Sequence, residues 1–200
     1  PMPVNGNYYL KGPITRKAPQ SSDNNNVELP KYCSYTPNHG FFCNKLDVDK
    51  SSAISIKSYR NKNEKQAMFS TSGGWCGSSS DTPGKIVCKD NDVNRFINFD
   101  PNGKNKDNEK MEFIPLYGKP NKVMIRLTNS YNNPKDNNYC RLQASEIVCD
   151  APKGKVNELG HPAENLIFTL EKSGNTLFKG DHLFMGDKIV SSNGKYYLTI

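Results

Sequence analysis

The residues of this 200-residue chain that could carry chemistry are first of all its cysteines. Six are present, and they fall into three close pairs with separations of 10, 12 and 9 residues, each pair bracketing a turn. The pairs are Cys33 with Cys43, Cys76 with Cys88, and Cys140 with Cys149. An even number of closely paired cysteines is typical of oxidising compartments, so we expect disulfides. Six cysteines formally allow about 15 connectivities, and the threefold placement favours the three local ones.

Other reactive groups are not arranged for catalysis or for metal binding. The three histidines, His39, His161 and His182, lie far apart in the sequence, and neither a Cys-x-x-Cys nor a His-x-x-x-His spacing occurs. The sequence has no serine-centred elbow, no phosphate-binding loop and no carboxylates paired by their spacing. We therefore expect no enzymatic activity, no metal and no cofactor.

The charge and hydropathy of the chain favour an exported, water-exposed protein. The net charge is +7, but the lysines alternate with asparagines and do not gather on one periodic face, as they do in nucleic-acid-binding proteins. No run approaches the roughly 18 apolar residues that a membrane-spanning helix needs. We expect a secreted or cell-surface protein that binds no nucleic acid and does not insert into a membrane.

Apolar residues alternate with polar ones in several short segments, as they do in half-buried strands. Ile54 and Ile56 form one such pair, Met111 and Phe113 a second, and Phe168 and Leu170 a third. No window keeps the apolar spacing of a helix, and Gly and Pro interrupt most candidates. The sequence therefore predicts an all-β chain.

The segments also recur in a fixed order. A hairpin closed by two cysteines, a polar loop and an alternating strand follow one another three times, which is typical of a repeat architecture. This order predicts three four-stranded units over residues 1–175. The tail, residues 176–200, contains NGKYYL, which resembles the opening NGNYYL. We expect it to be a β-strand extension or the start of a following module.

The cysteine-closed hairpin in the middle of each unit resembles the ricin-type β-trefoil lectins, whose repeats often carry a disulfide between their second and third strands. The resemblance covers residues 7–175 and implies a β-trefoil that binds carbohydrate without catalysis, with a glycan or glycoprotein as partner. The family's closing Gln-x-Trp is absent, and the tryptophan position is taken by Ile54, Phe113 and Phe168. The family's sugar-contacting acid corresponds to Tyr35, Ser78 and Leu142.

The second unit comes closest to a sugar site. Such a site needs an aromatic ring for the apolar face of the sugar and carboxylate or amide groups for its hydroxyls. Trp75, the only tryptophan, is followed by Asp81, Asp90 and Asn91. The alternative is that Trp75 packs in the core and the other three are turn residues.

The first unit offers a second candidate. Phe41 corresponds to the position at which the family often has its stacking aromatic residue, and Asn44 and Asp49 follow it. The alternative is that Phe41 is an inward-facing strand residue.

Two other functions remain open. Plant Kunitz-type trypsin inhibitors are also trefoils that begin with a strand similar to NGNYYL, and they present Arg or Lys on the loop that corresponds to SYRNKNEK. Arg60 is then the specificity residue. Alternatively, the trefoil is only a scaffold in a subunit of a larger adhesin, with another subunit as its partner.

Overall fold

A computed structural model describes residues 6–16, 27–37, 40–61, 64–79, 82–90, 111–128, 138–154, 163–173, 188–190 and 196–199. The strands are β1 Gly6–Lys11, β2 Thr15–Arg16, β3 Val27–Glu28, β4 Tyr32–Thr36, β5 Gly40–Lys45, β6 Ala53–Asn61, β7 Glu64–Thr71, β8 Gly74–Ser78, β9 Ile86–Asp90, β10 Met111–Pro115, β11 Lys122–Leu127, β12 Tyr139–Gln143, β13 Glu146–Ala151, β14 Phe168–Ser173, β15 Lys188–Val190 and β16 Tyr197–Thr199. Two short 3-10 helices span Lys50–Ser52 and Glu164–Leu166. Within these ranges no helix is long and apolar enough to cross a membrane.

Twelve of the strands form one sheet, and six of those close into a ring. Around the ring, β1 pairs with β14, β14 with β11, β11 with β10, β10 with β7, β7 with β6, and β6 with β1, all antiparallel. The first and last strands of the three predicted units are therefore direct neighbours. The expectation of an all-β chain is confirmed.

The other six strands of this sheet form three hairpins, β4–β5, β8–β9 and β12–β13. The cysteines stand opposite each other across each hairpin and are joined as Cys33–Cys43, Cys76–Cys88 and Cys140–Cys149. These are the three local pairs that the sequence favours. Each hairpin also pairs with one ring strand, β1, β7 or β11 respectively.

The hairpins are hydrogen-bonded to one another. The amide of Cys43 donates to the carbonyl of Ser145 at 2.8 Å, and the amide of Cys149 donates to the carbonyl of Gly84 at 2.7 Å. Gly84 has a φ of +90°, and a Cβ there would lie 3.1 Å from the Cys149 oxygen. Only glycine allows this turn to approach the third hairpin so closely.

The core lies inside the ring and beneath the hairpins. It is built by alternate residues of the ring strands and by all six cysteines: Tyr8, Leu10, Ile54, Ile56, Ala67, Phe69, Met111, Phe113, Val123, Ile125, Leu127, Phe168 and Leu170 from the ring, and Phe41, Ile86 and Ile147 from the hairpins. Because side chains alternate along a strand, the residues between these positions lie on the outer face.

The register is the same in the three units and corrects one expectation. Ile54 lies opposite Tyr8, and Phe168 lies opposite Val123. The residue in the matching place of the second unit is Met111, opposite Ala67, whereas Phe113 lies two residues further along β10, opposite Ile125. Phe113 is therefore not the equivalent of Ile54 and Phe168, although all are buried in the core.

The tail contains two paired strands. Ile189 of β15 lies opposite Leu198 of β16 in a two-stranded antiparallel sheet. The tail therefore contains two strands, while its division from residues 1–175 as an extension or a following module stays a prediction.

Candidate functional site

A polar cluster lies on the outer face of the ring, where the first and last strands meet. We call it the junction site, and define it as Tyr9 and Lys11 of β1, Tyr32 of β4, Lys122 of β11, and Thr169 and Glu171 of β14. On the two central strands, Tyr9 lies opposite Glu171 and Lys11 opposite Thr169. Leu10 and Leu170, between them, belong to the core inside the ring. Strand alternation therefore places the polar residues together on the outside.

Glu171 is the centre of this cluster. It is only 5% exposed, and a buried carboxylate needs partners to offset the loss of water. The Lys11 Nζ lies 3.0 Å from its Oε1, and the Tyr32 hydroxyl donates to its Oε2 at 2.8 Å. Lys11 also lies 4.4 Å from the centre of the Tyr32 ring, within the range of a cation–π contact. Both oxygens of Glu171 are thus occupied.

The two tyrosines of the cluster keep their protons. Burial raises the pKa of Tyr32, and the hydrogen bond to the Glu171 carboxylate raises it further, since ionised Tyr32 could not donate that bond. Burial also raises the pKa of Tyr9, partly offset by a hydrogen bond with Ser173. The rings of Tyr9 and Tyr32 meet edge to face at 6.4 Å. Both are neutral at ordinary pH, and the Tyr32 hydroxyl donates to Glu171.

Lys122 joins the cluster from the far side of β14. Its Nζ donates to the Thr169 hydroxyl at 2.6 Å. Burial lowers the pKa of Lys122, nearby Lys11 and Lys119 lower it further, and Glu171 raises it. The two lysines thus flank one threonine from the two neighbouring strands.

The same place in the third unit has different chemistry. Arg126 corresponds to Lys11 there, because each faces the first residue of its hairpin, and it pairs with Glu112 of the opposite strand at 2.6 Å. Beside it, Tyr139 packs in an apolar cluster with Met124 and Leu166. Arg126 thus faces the acidic Glu112 on the neighbouring ring strand, whereas Lys11 faces the neutral Thr169 at the junction site.

A turn next to Lys122 carries the most exposed aromatic ring among the described residues. Tyr117 is 98% exposed. Its turn is fixed by backbone hydrogen bonds from Leu116 to Lys122 at 2.9 Å and from Lys119 to Leu116 at 3.2 Å. The carbonyl of Asn121 accepts from Leu170 at 2.7 Å, which ties the turn to β14. The Tyr117 ring is thus open to solvent on a well-ordered support.

The structure brings together part of the predicted site of the second unit. Trp75 lies directly opposite Asp90 in the backbone pairing of β8 and β9. Trp75 is 6% exposed, in agreement with the packing alternative, but it belongs to neither core cluster. Asp81 and Asn91 lie outside the described residues.

The candidates of the first unit have structural roles. Phe41 is 2% exposed and packs on Phe69 with the ring centres 5.6 Å apart, which is the inward position of its alternative. Asp49 caps the helix Lys50–Ser52, accepting from the amide of Ser51 at 2.8 Å. Burial raises the pKa of Asp49, but hydrogen bonds from Lys45 and Ser51 dominate together and lower it to about 2.

Arg60, the candidate of the inhibitor alternative, lies in β6 rather than on a loop. It is paired with Lys65 of β7, and the ladder continues to Asn61 and Glu64. A protease needs an extended loop whose backbone is free, whereas this backbone is already in a sheet.

Sequence reasoning missed the junction site. Each first cysteine follows an aromatic residue, in KYC, GWC and NYC, and in each hairpin the register shifts between the two. Tyr32, Trp75 and Tyr139 are thus equivalent positions, a signal that the sequence contained.

No group of three or more His, Cys, Asp and Glu side chains in the described part of the chain could hold a metal ion.

No protein-family model and no curated protein sequence matches the chain. Solved structures are similar over most of it, among them the following three. SeviL bound to asialo-GM1 saccharide shares 9% identity, covers 84% of this chain and 98% of its own, and has a TM-score of 0.47. The BEL β-trefoil shares 10% sequence identity, and the match covers 86% of this chain and 97% of that one, with a TM-score of 0.46. A proteinase inhibitor from Coprinopsis cinerea shares 14% sequence identity, and the match covers 84% of this chain and 97% of that one, with a TM-score of 0.44. A saccharide-bound protein and a proteinase inhibitor are thus both among the similar structures.

Proposed function

We propose that this chain is a non-catalytic β-trefoil that binds carbohydrate, as a module of a secreted or cell-surface adhesin. The closed ring of six strands and the three disulfide hairpins on it support the trefoil. Loops on such a rigid scaffold are where binding residues concentrate.

The observation that carries the binding function is the Tyr117 turn. A sugar ring stacks its apolar face on an aromatic side chain, and Tyr117 is 98% exposed on a turn hydrogen-bonded to the sheet. The turn also presents the exposed ammonium group of Lys119, which has three protons to donate. An open ring with hydrogen-bond donors nearby is the arrangement that a pyranose requires. Trp75 and Asp90 remain a proposed second contact.

Replacing Tyr117 by alanine tests this proposal cleanly. Because the ring contacts almost nothing, the Tyr117→Ala variant should unfold at the same temperature as the unaltered chain. Its affinity for the glycans that the chain binds should fall about fivefold, the equivalent of about 1 kcal/mol of ring stacking. Tyr196→Ala is the matched control, since it removes another exposed tyrosine, at 72% exposure. Equal affinity in all three proteins contradicts the proposed site.

Trp75 is a less informative position for this test. Truncating a buried aromatic side chain typically costs about 3 to 5 kcal/mol, so loss of binding by Trp75→Ala could follow from unfolding alone. Asp90→Asn, on the opposite strand, keeps the volume and tests the second contact.

The inhibitor alternative has a separate assay. If it holds, the unaltered chain inhibits trypsin and Arg60→Ala does not. The pairing of Arg60 in the β6–β7 ladder favours no inhibition by either protein.

A further inference from the structure

Two lysines flank Thr169 at the junction site, and the ammonium of one of them, Lys122, binds its hydroxyl. Lys11 and Lys122 lie opposite Thr169 on the two strands that flank it, so each β-carbon is about 5 Å from that of Thr169. The Thr169 hydroxyl accepts from Lys122 at 2.6 Å, and a hydroxyl that accepts one bond still has its own proton to donate. Lys11, Lys122 and the Thr169 hydroxyl, which can all donate hydrogen bonds, are therefore neighbours on the outer face.

The positive charge at this point is not balanced within the cluster. Glu171 is the only acid of the junction site, and its oxygens are taken by Lys11 and Tyr32. Within the described residues, Lys122 lies within ion-pair distance of no carboxylate. Like charges on neighbouring strands repel, and Lys119 adds to the repulsion on Lys122.

We infer that the junction site binds an anionic group of a glycan, a sulfate ester or a carboxylate, held by Lys122, Lys11 and the Thr169 hydroxyl. This inference rests on the proposed function and assigns the glycan to the acidic class. Lysine suits such a ligand because its ammonium is a compact charge with rotatable donors. The anion supplies the counter-charge that Lys122 lacks, while the sugar ring that bears it reaches toward Tyr117 on the adjacent turn.

The test compares a sulfated and a sialylated oligosaccharide with their neutral parent, using the full chain. Lys122→Gln should weaken binding of one acidic probe about tenfold, the loss expected for one hydrogen bond to a charged group, and leave the neutral parent unaffected. The probe that responds identifies the anion. Lys153→Gln is the matched control: it removes one positive charge from an exposed position and should change the affinity less than about twofold.

Lys122→Arg guards against misfolding, because it keeps the charge and should bind the acidic probe nearly as well as the unaltered chain. Equal losses in Lys122→Gln and Lys153→Gln, or a loss in neither, overturn the inference. Binding of neutral glycans that depends on Tyr117 but not on Lys122 keeps the proposed function and removes the anion site. Stabilisation by inorganic sulfate alone that Lys122→Gln abolishes, without binding of any oligosaccharide, keeps the anion site and removes the glycan.

Discussion

At the scale of single residues, Tyr32 and Glu171 show how a charge is kept inside this molecule. The Tyr32 hydroxyl and the Lys11 ammonium both bind the buried carboxylate, and the phenol and the carboxylate are 139 positions apart in the sequence. Removing a hydrogen bond to a charged group costs about 1.5 to 3 kcal/mol. The pair therefore holds the first unit against the last strand of the third.

Tyr32→Phe should change how stability depends on alkaline pH. The pKa of Tyr32 is raised in the folded chain, so its stabilising contribution is complete below about pH 10, where unfolded tyrosine begins to ionise, and is lost as the pH rises further. The variant should be less stable at neutral pH and should lose less stability between about pH 9 and pH 11. Urea unfolding at a series of pH values measures this. If the stability of both proteins falls equally with rising pH, the role given to Tyr32 is contradicted. Tyr117→Phe, which changes an exposed ring, is the control and should behave like the unaltered chain.

At the scale of elements, the short helix Lys50–Ser52 owes its start to Asp49. The side chain accepts from the Ser51 amide, and the Ser52 side chain accepts in return from the Asp49 amide. Asp49→Ala should cost about 1 kcal/mol at neutral pH, the usual value of such a cap.

The effect of Asp49→Ala should vanish in acid. Because the folded pKa of Asp49 is lowered to about 2, its contribution is present above the unfolded pKa of about 3.9 and is lost as the pH falls toward 2. The side chain is half exposed, so solvent screens the ion pair with Lys45 and the cap bond dominates. Denaturation curves at neutral pH and at about pH 1, below the folded pKa, compare the two proteins; a difference that persists at the lower pH contradicts the assignment.

The turn between β12 and β13 is the second element with a clear consequence. Its two central residues, Ala144 and Ser145, have φ values of +48° and +69°, which side-chain-bearing residues adopt at a cost. Ser145→Gly should raise the free energy of unfolding by about 0.5 to 1 kcal/mol, because the carbonyl that accepts from Cys43 is retained. Ser55→Gly, within β6, should instead destabilise the chain. Thermal unfolding midpoints of the two variants and the unaltered chain test this prediction. A lower midpoint for Ser145→Gly contradicts the proposal that Ser145 is strained.

At the scale of the whole molecule, the parts of the fold that the sequence predicts are local ones. The separation of two cysteines around a turn and the alternation in Ile54 and Ile56 depend on neighbours along the chain, so the hairpin disulfides and the strands could be predicted. The junction site could not. Lys11 and Thr169 are brought together by the closure of the ring between β1 and β14, and no local spacing encodes that pairing.

The candidate sugar-binding residues differ in how far the sequence could place them, and the reason is physical. Phe41 lies in the core together with Cys43, two residues further along β5, because alternate side chains of a strand share a face. Trp75 and Asp90 were predicted to be neighbours and lie opposite each other. Tyr117 was not singled out, because its full exposure depends on a turn between two strands of the ring.

The most direct test of the central claim is the binding of the purified, oxidised chain to an array of immobilised glycans. Carbohydrate binding predicts signal on a defined subset of sugars, competed by the free sugar and reduced by Tyr117→Ala but not by Tyr196→Ala. An array on which no glycan binds above background, with a chain whose three disulfides are intact, contradicts it and leaves a scaffold or an inhibitor as the function of this fold.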